Sequence, residues 1–218
     1  MDIAHNGQTF PAQHVNVPDN VFKRLLYLFG AFTLLFQFSF LVGYYILPEG
    51  FLSNSPQTAA GRIAGSANSF WGEFGLTLLF NLGMVTLISV IMNFNQVKGF
   101  PVGYVYPLFL GLFSGMIAGT NSFTASDITQ YNVRDGLALA YSIGNLEMLG
   151  YICVIAATVR LGVYQYRSWW RWSGQWKPVK VMRIRDVRLS KDETAVLLVG
   201  LFLVILGAWR ETMLAFGV

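Results

Sequence analysis

Three polar side chains interrupt long apolar stretches of this sequence and are its best candidates for chemistry: Asn81, Asn145 and Glu147. If those stretches are transmembrane helices, a rise of about 1.5 Å per residue puts Glu147 roughly 18 Å beyond Asp135, near the middle of a bilayer. An ionisable group at that depth costs about 2.5 to 3.5 kcal/mol by insertion scales and often marks a functional site. The sequence therefore predicts an intramembrane polar cluster of these three residues.

Two interpretations of this cluster are open. In the first, Glu147 binds a proton or a cation, with Asn81 and Asn145 as further ligands. In the second, the three side chains form a buried hydrogen-bonded knot that locks two spans together. The second is favoured, because no other charge is evident at the depth of Glu147.

A further polar group is predicted nearer one membrane surface. Arg210 and Glu211 lie near the end of the last apolar stretch, and Glu73 lies at the start of the second. Charged residues within spans usually pair with one another. We therefore expect an ion pair between Glu73 and Arg210 at the outer end, with Glu211 beside it.

Residues that usually support catalysis or metal binding are scarce. Both histidines, His5 and His14, precede the first apolar stretch, and Cys153 is the one cysteine. Metal centres and general-base catalysis usually draw on such residues, and the sequence contains no HExxH pair, P-loop or GxSxG motif. We expect no catalytic residue, no metal and no cofactor, and therefore no enzyme.

The composition is that of a membrane protein. Of the 218 residues, 54% are hydrophobic and 12% are charged, whereas soluble domains carry about 25% charged residues. Stretches long enough to cross a bilayer lie at about residues 25–47, 74–93, 102–119, 136–165 and 194–216. The prediction is an all-α fold: a polytopic membrane bundle of five transmembrane helices over residues 21–218, after a cytoplasmic arm at residues 1–20. Residues 51–69 are expected to hold a short surface helix.

Basic residues are distributed unevenly between the connecting segments. If the amino terminus lies inside the cell, Lys98 and a basic loop at residues 167–192 lie on the cytoplasmic side. The loops on the outer side then contain only Arg62 and Arg134 as basic residues. The positive-inside rule then predicts a cytoplasmic amino terminus and an outer carboxyl terminus. The expected location is the plasma or inner membrane.

The basic loop combines cations with tryptophans, as a lipid or partner surface does. Its candidate contact residues are Arg167, Trp169, Trp170, Arg171, Trp172, Trp176, Arg183, Arg185 and Arg188. Apolar and basic residues partly alternate over residues 179–189, which fits either a short strand or a helix on the membrane surface. Because anionic lipid contributes about 1 kcal/mol per basic residue, we expect membrane lipids as partners and no nucleic acid.

Small residues recur at four-residue spacing in the third and fourth spans. The two stripes consist of Gly111, Gly115 and Gly119, and of Gly136, Ala140 and Gly144. Such stripes expose backbone for close helix contact. We predict that they let spans three and four pack against each other.

Several short motifs occur in a recognisable order: FNLGM around Asn81, the glycine stripe of the third span, GNLEML at residues 144–149, a basic loop, and AWRET at residues 208–212. In this order the sequence resembles the stage II sporulation protein M family over about residues 20–216. The resemblance implies that Asn81, Gly144 with Glu147, and Glu211 match marked positions of the family. Where family members often carry a histidine before that glycine, this chain has Ile143.

The resemblance also implies a function. The best understood family members are membrane anchors that recruit a peptidoglycan-degrading protein during endospore engulfment. We therefore expect a non-enzymatic scaffold or accessory subunit that assembles with other membrane proteins in a larger complex. The alternatives are a small transporter or proton-conducting subunit that uses Glu147, and a lipid-binding accessory subunit of a membrane enzyme.

Overall fold

The computed structural model describes residues 17–122, 133–169 and 176–217, and within them the chain is mostly helical. Five helices are long and apolar enough to cross a membrane, as the sequence predicted. These candidate spans are Val21–Ile46, Phe70–Asn93, Val102–Gly119, Gly144–Leu161 and Lys191–Ala215.

Eight helical segments can be assigned in the described residues. They are α1 Val21–Ile46, α2 Pro56–Gly65, α3 Phe70–Leu79, a π-helical stretch Phe80–Thr86, α4 Leu87–Asn93, α5 Val105–Gly119, α6 Val133–Thr158 and α7 Lys191–Ala215. Short 3-10 turns lie at Val102–Tyr104, Val159–Leu161 and Ile184–Asp186. The segment expected to hold a short helix therefore contains α2.

Polar side chains fix where several helices begin. Asn20 accepts hydrogen bonds from the first amides of α1, and Ser55 and Ser69 do the same for α2 and α3. At α7, Ser190 and Glu193 form a reciprocal capping box, which satisfies two amides that would otherwise lack partners. These caps mark the helix ends within a sequence that is otherwise apolar for long stretches.

A small sheet closes one end of the bundle. It consists of β1 Asn95–Val97, β2 Phe100–Pro101, β3 Tyr164–Tyr166 and β4 Val179–Lys180, in the spatial order β2-β1-β3-β4. β1 runs parallel to β3, and the other two pairs are antiparallel. We call this the basic end, because the sheet, Lys98 and the described part of the basic loop lie there, and we call the opposite end the α2 end.

The sheet corrects one predicted boundary and decides an open question. α6 ends at Thr158, before the predicted end of the span at residue 165, because residues 164–166 join the sheet as β3. Val163 and Tyr164 donate backbone hydrogen bonds to the Phe94 carbonyl, both at 2.9 Å. In the basic loop, Val179 and Lys180 form a strand rather than part of a surface helix.

The glycine stripe of the third span packs against the first span. A Cβ atom on Gly115 would collide with Ser39 Oγ and the Phe36 carbonyl oxygen, and one on Gly111 would lie 3.0 Å from the Phe32 carbonyl oxygen. The prediction that this stripe packs against span four is therefore wrong, since its partner is α1. A stripe of glycines shows that some helix comes close, and the sequence does not say which.

Span four uses a different glycine for its closest contact. Gly150 of α6 meets Gly200 of α7, where a Cβ on either residue would lie within 3 Å of the other's carbonyl oxygen. A Cβ on Gly144 would meet nothing within 4 Å. Of the other predicted members of this stripe, Gly136 and Ala140 lie in α6, and their surroundings fall outside the described part.

The core lies around the second half of α6. Every residue from Tyr151 to Ala157 is at most 5% exposed, and α6 packs against α1, α4, α5 and α7. The half of the bundle near the basic end is therefore closely packed, and a cavity is expected in the other half.

Candidate functional site

Asn81 and Glu147 meet inside the bundle. The Asn81 amide Nδ2 donates a hydrogen bond of 2.6 Å to Glu147 Oε1. The two residues are 9% and 8% exposed, so this bond lies between helices rather than in a groove on the surface. Hydrogen bonds to a charged acceptor are about twice as strong as neutral ones, and this one ties span two to span four.

The π-helical stretch positions Asn81. Within Phe80–Thr86 the backbone makes wider turns than an α-helix, and Thr86 Oγ1 donates a 2.8 Å hydrogen bond back to the Asn81 carbonyl. Isolated π turns inside α-helices often lie at functional sites. The wider turn rotates the residues before it relative to α4, and this rotation sets the direction of the Asn81 side chain.

Glu211 is the second carboxyl of the site. Its side chain lies beside that of Glu147, within hydrogen-bonding reach. Gly207 makes this approach possible, because a Cβ there would collide with the Glu147 side chain. Two bare carboxylates repel each other, so a pair this close requires a proton or another cation between the two groups.

Glu211 joins the predicted cluster of Asn81, Asn145 and Glu147. Asn145 is exposed and lines a small cavity together with Glu147 and Glu211, but it takes no part in the bond between Asn81 and Glu147. At about 1.5 Å per residue, Gly207 lies roughly 12 Å from the end of α7, so the pair is closer to the α2 end than to the basic end. The term glutamate pair below means Glu147 and Glu211.

The predicted ion pair at the outer end is wrong. Among the described residues, Arg210 makes no salt bridge within 4.0 Å, with Glu73 or with any other acid. Glu73 is instead buried and interacts electrostatically with Glu211. Glu73 lies in the first turn of α3, so a third carboxyl lies toward the α2 end from Glu147 and Glu211.

Two cavities meet at the glutamate pair. A small one of about 200 Å³ lies on the α1 side and a large one of about 500 Å³ on the side of the π-helical stretch. Glu147, Glu211 and Met148 line both, and so do Gln57 and Gly61 of α2. The helix α2 therefore covers both cavities, and Gln57 Nε2 donates a 3.3 Å hydrogen bond to Ser114 on α5.

The walls of the cavities leave the carboxyls without a basic partner. No lysine, arginine or histidine is among the described residues that line either cavity. In the same part of the chain, no group of three or more acids, cysteines or histidines is arranged to hold a metal ion.

A second buried polar group lies at the basic end. Arg24 is 1% exposed and donates to Glu193 Oε1 at 2.6 Å, to the Ala156 carbonyl at 2.7 Å and to the Asp19 carbonyl at 2.9 Å. Arg160 approaches Glu193 at 3.4 Å and bonds Asp19 Oδ1 at 2.8 Å. Sequence reasoning missed this network, because both Arg24 and Glu193 look like ordinary charges flanking a span.

The lipid or partner surface of the basic loop is only partly described. Trp169 packs on Phe100 with ring centroids 5.8 Å apart, and Trp176 packs on Tyr166 at 4.9 Å. The exposed cations among the predicted residues are Arg167, Arg183, Arg185 and Arg188. Trp170, Arg171 and Trp172 lie outside the described residues.

Aromatic side chains gather at the α2 end of span five. Trp209 contacts Phe70, Trp71 and Phe74 with ring centroids 5.0 to 5.8 Å apart, and Phe216 also contacts Phe70. Aromatic residues are enriched at membrane interfaces. The cluster fixes the start of α3 against the end of α7, which holds Glu73 close to Glu211.

No family model, curated protein or solved structure matches the chain.

Proposed function

We propose that the protein is a non-enzymatic multi-pass membrane protein that carries protons or monovalent cations by way of the glutamate pair. The observation that carries this proposal is the convergence of Asn81, Glu147 and Glu211 from three spans at the point where two cavities meet. Buried ionisable groups in transporters and pumps commonly serve as relays.

The glutamate pair changes the balance between the two interpretations of the cluster. From the sequence, a structural hydrogen-bonded knot was favoured because no second charge was evident at the depth of Glu147. With Glu211 beside it, Glu147 has a second titratable group with which to exchange a proton, and the buried carboxyl of Glu73 lies toward the α2 end. Two carboxyls this close can hold a proton or another cation between them, which a lone buried glutamate cannot do.

The proposed orientation follows the distribution of charge. The positive-inside rule supports a cytoplasmic basic end and amino terminus, with the glutamate pair nearer the outer face. The proposed location is the plasma or inner membrane.

Replacing Glu147 by glutamine tests the proposal. Purified protein is reconstituted in vesicles that enclose a pH-sensitive dye, and a potassium diffusion potential drives proton uptake. We expect wild-type vesicles to take up protons faster than protein-free vesicles, and E147Q to lower the rate about a hundredfold, because an amide cannot relay a proton. The control is E49Q, since Glu49 is exposed and bonded only to Asn121 among the described residues.

Retention of the wild-type elution volume by E147Q shows that a loss of flux is not a loss of folding. Equal flux through wild-type and E147Q vesicles contradicts the proposal. Wild-type vesicles that take up neither protons nor monovalent cations faster than protein-free vesicles also contradict it.

A scaffold or accessory subunit is the second candidate, and two observations favour it. Asn81, Glu147 and Glu211, which the resemblance to the stage II sporulation protein M family singles out, are the residues that meet in the bundle. In addition, the basic end offers exposed arginines to anionic lipid or to an acidic partner. This candidate predicts stoichiometric partners when the protein is purified from its native membrane in mild detergent.

A further inference from the structure

The large cavity has the size and lining of a ligand site. Its volume of about 500 Å³ lies within the range of roughly 300 to 1,000 Å³ that is usual for small-molecule pockets. Most of its wall is apolar, and two carboxyls, those of Glu147 and Glu211, are among its polar groups. Pockets of this kind bind molecules with an apolar body and one polar group.

The polar residues of this cavity include two acids. Glu147 and Glu211 both line it, together with Asn81, Tyr106 and Tyr151. Tyr151 is 2% exposed, so it belongs to the interior wall of the cavity. A buried charge is costly unless it is paired, and a cationic ligand beside the glutamate pair would supply a partner.

Aromatic residues also line the cavity. Phe80, Phe109 and Phe113 are among its wall residues, Phe109 is 50% exposed, and the rings of Phe109 and Phe113 lie 4.3 Å apart. Aromatic faces attract organic cations, and several rings around one site are typical of quaternary ammonium recognition. Carboxyls and rings in the same cavity favour an organic ammonium over a hydrated metal ion.

We propose that the large cavity binds a monovalent organic ammonium ion, with its charged nitrogen at the glutamate pair and its apolar body against Phe80, Phe109 and Phe113. The inference rests on the proposed function, because it names the substrate class of the same carboxyls. Small residues of α2 make room for the body of the ligand, since Ala60, Gly61 and Ala64 face the cavity. The ligand enters beneath α2, and its single positive charge offsets one negative charge of the pair.

Two probes of the same shape test this inference. Radiolabelled benzyltrimethylammonium is measured by equilibrium dialysis against the full chain in detergent micelles, in competition with neopentylbenzene, in which carbon replaces the charged nitrogen. We expect saturable binding of the cation and at least a tenfold weaker competition by the neutral compound. Because both probes meet the wild-type chain, this comparison does not depend on the folding of any variant.

Three variants locate the site. E147Q and E211Q are each expected to weaken binding of benzyltrimethylammonium at least tenfold, and A60L is expected to weaken it by filling the cavity while both carboxyls remain. E49Q removes a carboxylate near the α2 end, outside the residues that line the cavity, and is expected to bind like the wild type.

The outcomes separate the two proposals. Proton flux through the wild type without any binding of benzyltrimethylammonium overturns the ammonium site and leaves the proposed function standing. Charge-selective binding without flux supports the site and contradicts transport. Equal competition by the neutral compound, or wild-type binding by both E147Q and E211Q, overturns the ammonium site.

Discussion

Replacing Gly115 by alanine is expected to separate α5 from α1 and to destabilise the bundle by about 3 kcal/mol, the upper part of the usual range for overpacking. The new Cβ atom would collide with Ser39 Oγ and with the Phe36 carbonyl oxygen. A backbone carbonyl cannot rotate away as a flexible side chain can, so the two helices must move apart. Thermal unfolding in detergent, followed by light scattering and intrinsic fluorescence, measures the effect.

A matched control lies on the helix that Gly115 touches. A Cβ on Gly30 of α1 would meet nothing within 4 Å, so G30A is expected to keep the wild-type melting temperature or to raise it, since alanine favours the helix. If G115A melts like G30A, the close contact between α1 and α5 is contradicted.

Replacing Arg24 by methionine is expected to cost about 3 to 5 kcal/mol, which is typical when one partner of a buried ion pair is removed. The Glu193 carboxylate, 1% exposed, would lose its 2.6 Å partner and keep only Arg160 at 3.4 Å. The Ala156 carbonyl would also lose its donor. The melting temperature in detergent is again the measurement.

A double variant distinguishes the loss of a charge partner from the loss of packing. Glutamine at position 193 retains an acceptor for the Ser190 amide and removes the buried charge, so R24M/E193Q is expected to be more stable than R24M. D19N provides the exposed control, because the bond between Asp19 and Arg160 involves an aspartate side chain open to solvent, and such pairs contribute about 0 to 1 kcal/mol. An R24M protein as stable as D19N would show that the pair is not buried.

The five spans were predictable because their signal is local. Each needs only a sufficient run of apolar residues, and the structure has a helix in each place. Asn81 and Glu147 could be selected in the same way, as polar residues inside such runs. That they touch each other follows from the way the helices pack, which periodicity does not determine.

The errors concern partners rather than positions. Glu211 was expected beside an ion pair between Glu73 and Arg210, whereas its side chain lies beside that of Glu147. The stripe at Gly111, Gly115 and Gly119 was expected to meet span four and meets α1. A residue's depth along its own helix can be estimated from sequence, whereas the choice of neighbouring helix depends on the whole bundle.

The π-helical stretch also divides the second span into two units. On one side of Phe80–Thr86, α3 packs mainly against α7, and on the other side α4 packs against α6 and the 3-10 turn Val102–Tyr104. Because the extra backbone in the wide turn offsets the angular register of the two segments, each can face its own neighbour without forcing the other to rotate. The bond between Asn81 and Glu147 lies at the junction of the two units. A change in this bond would therefore rotate α3 relative to α4, while α4 keeps its contacts with the closely packed half of the bundle.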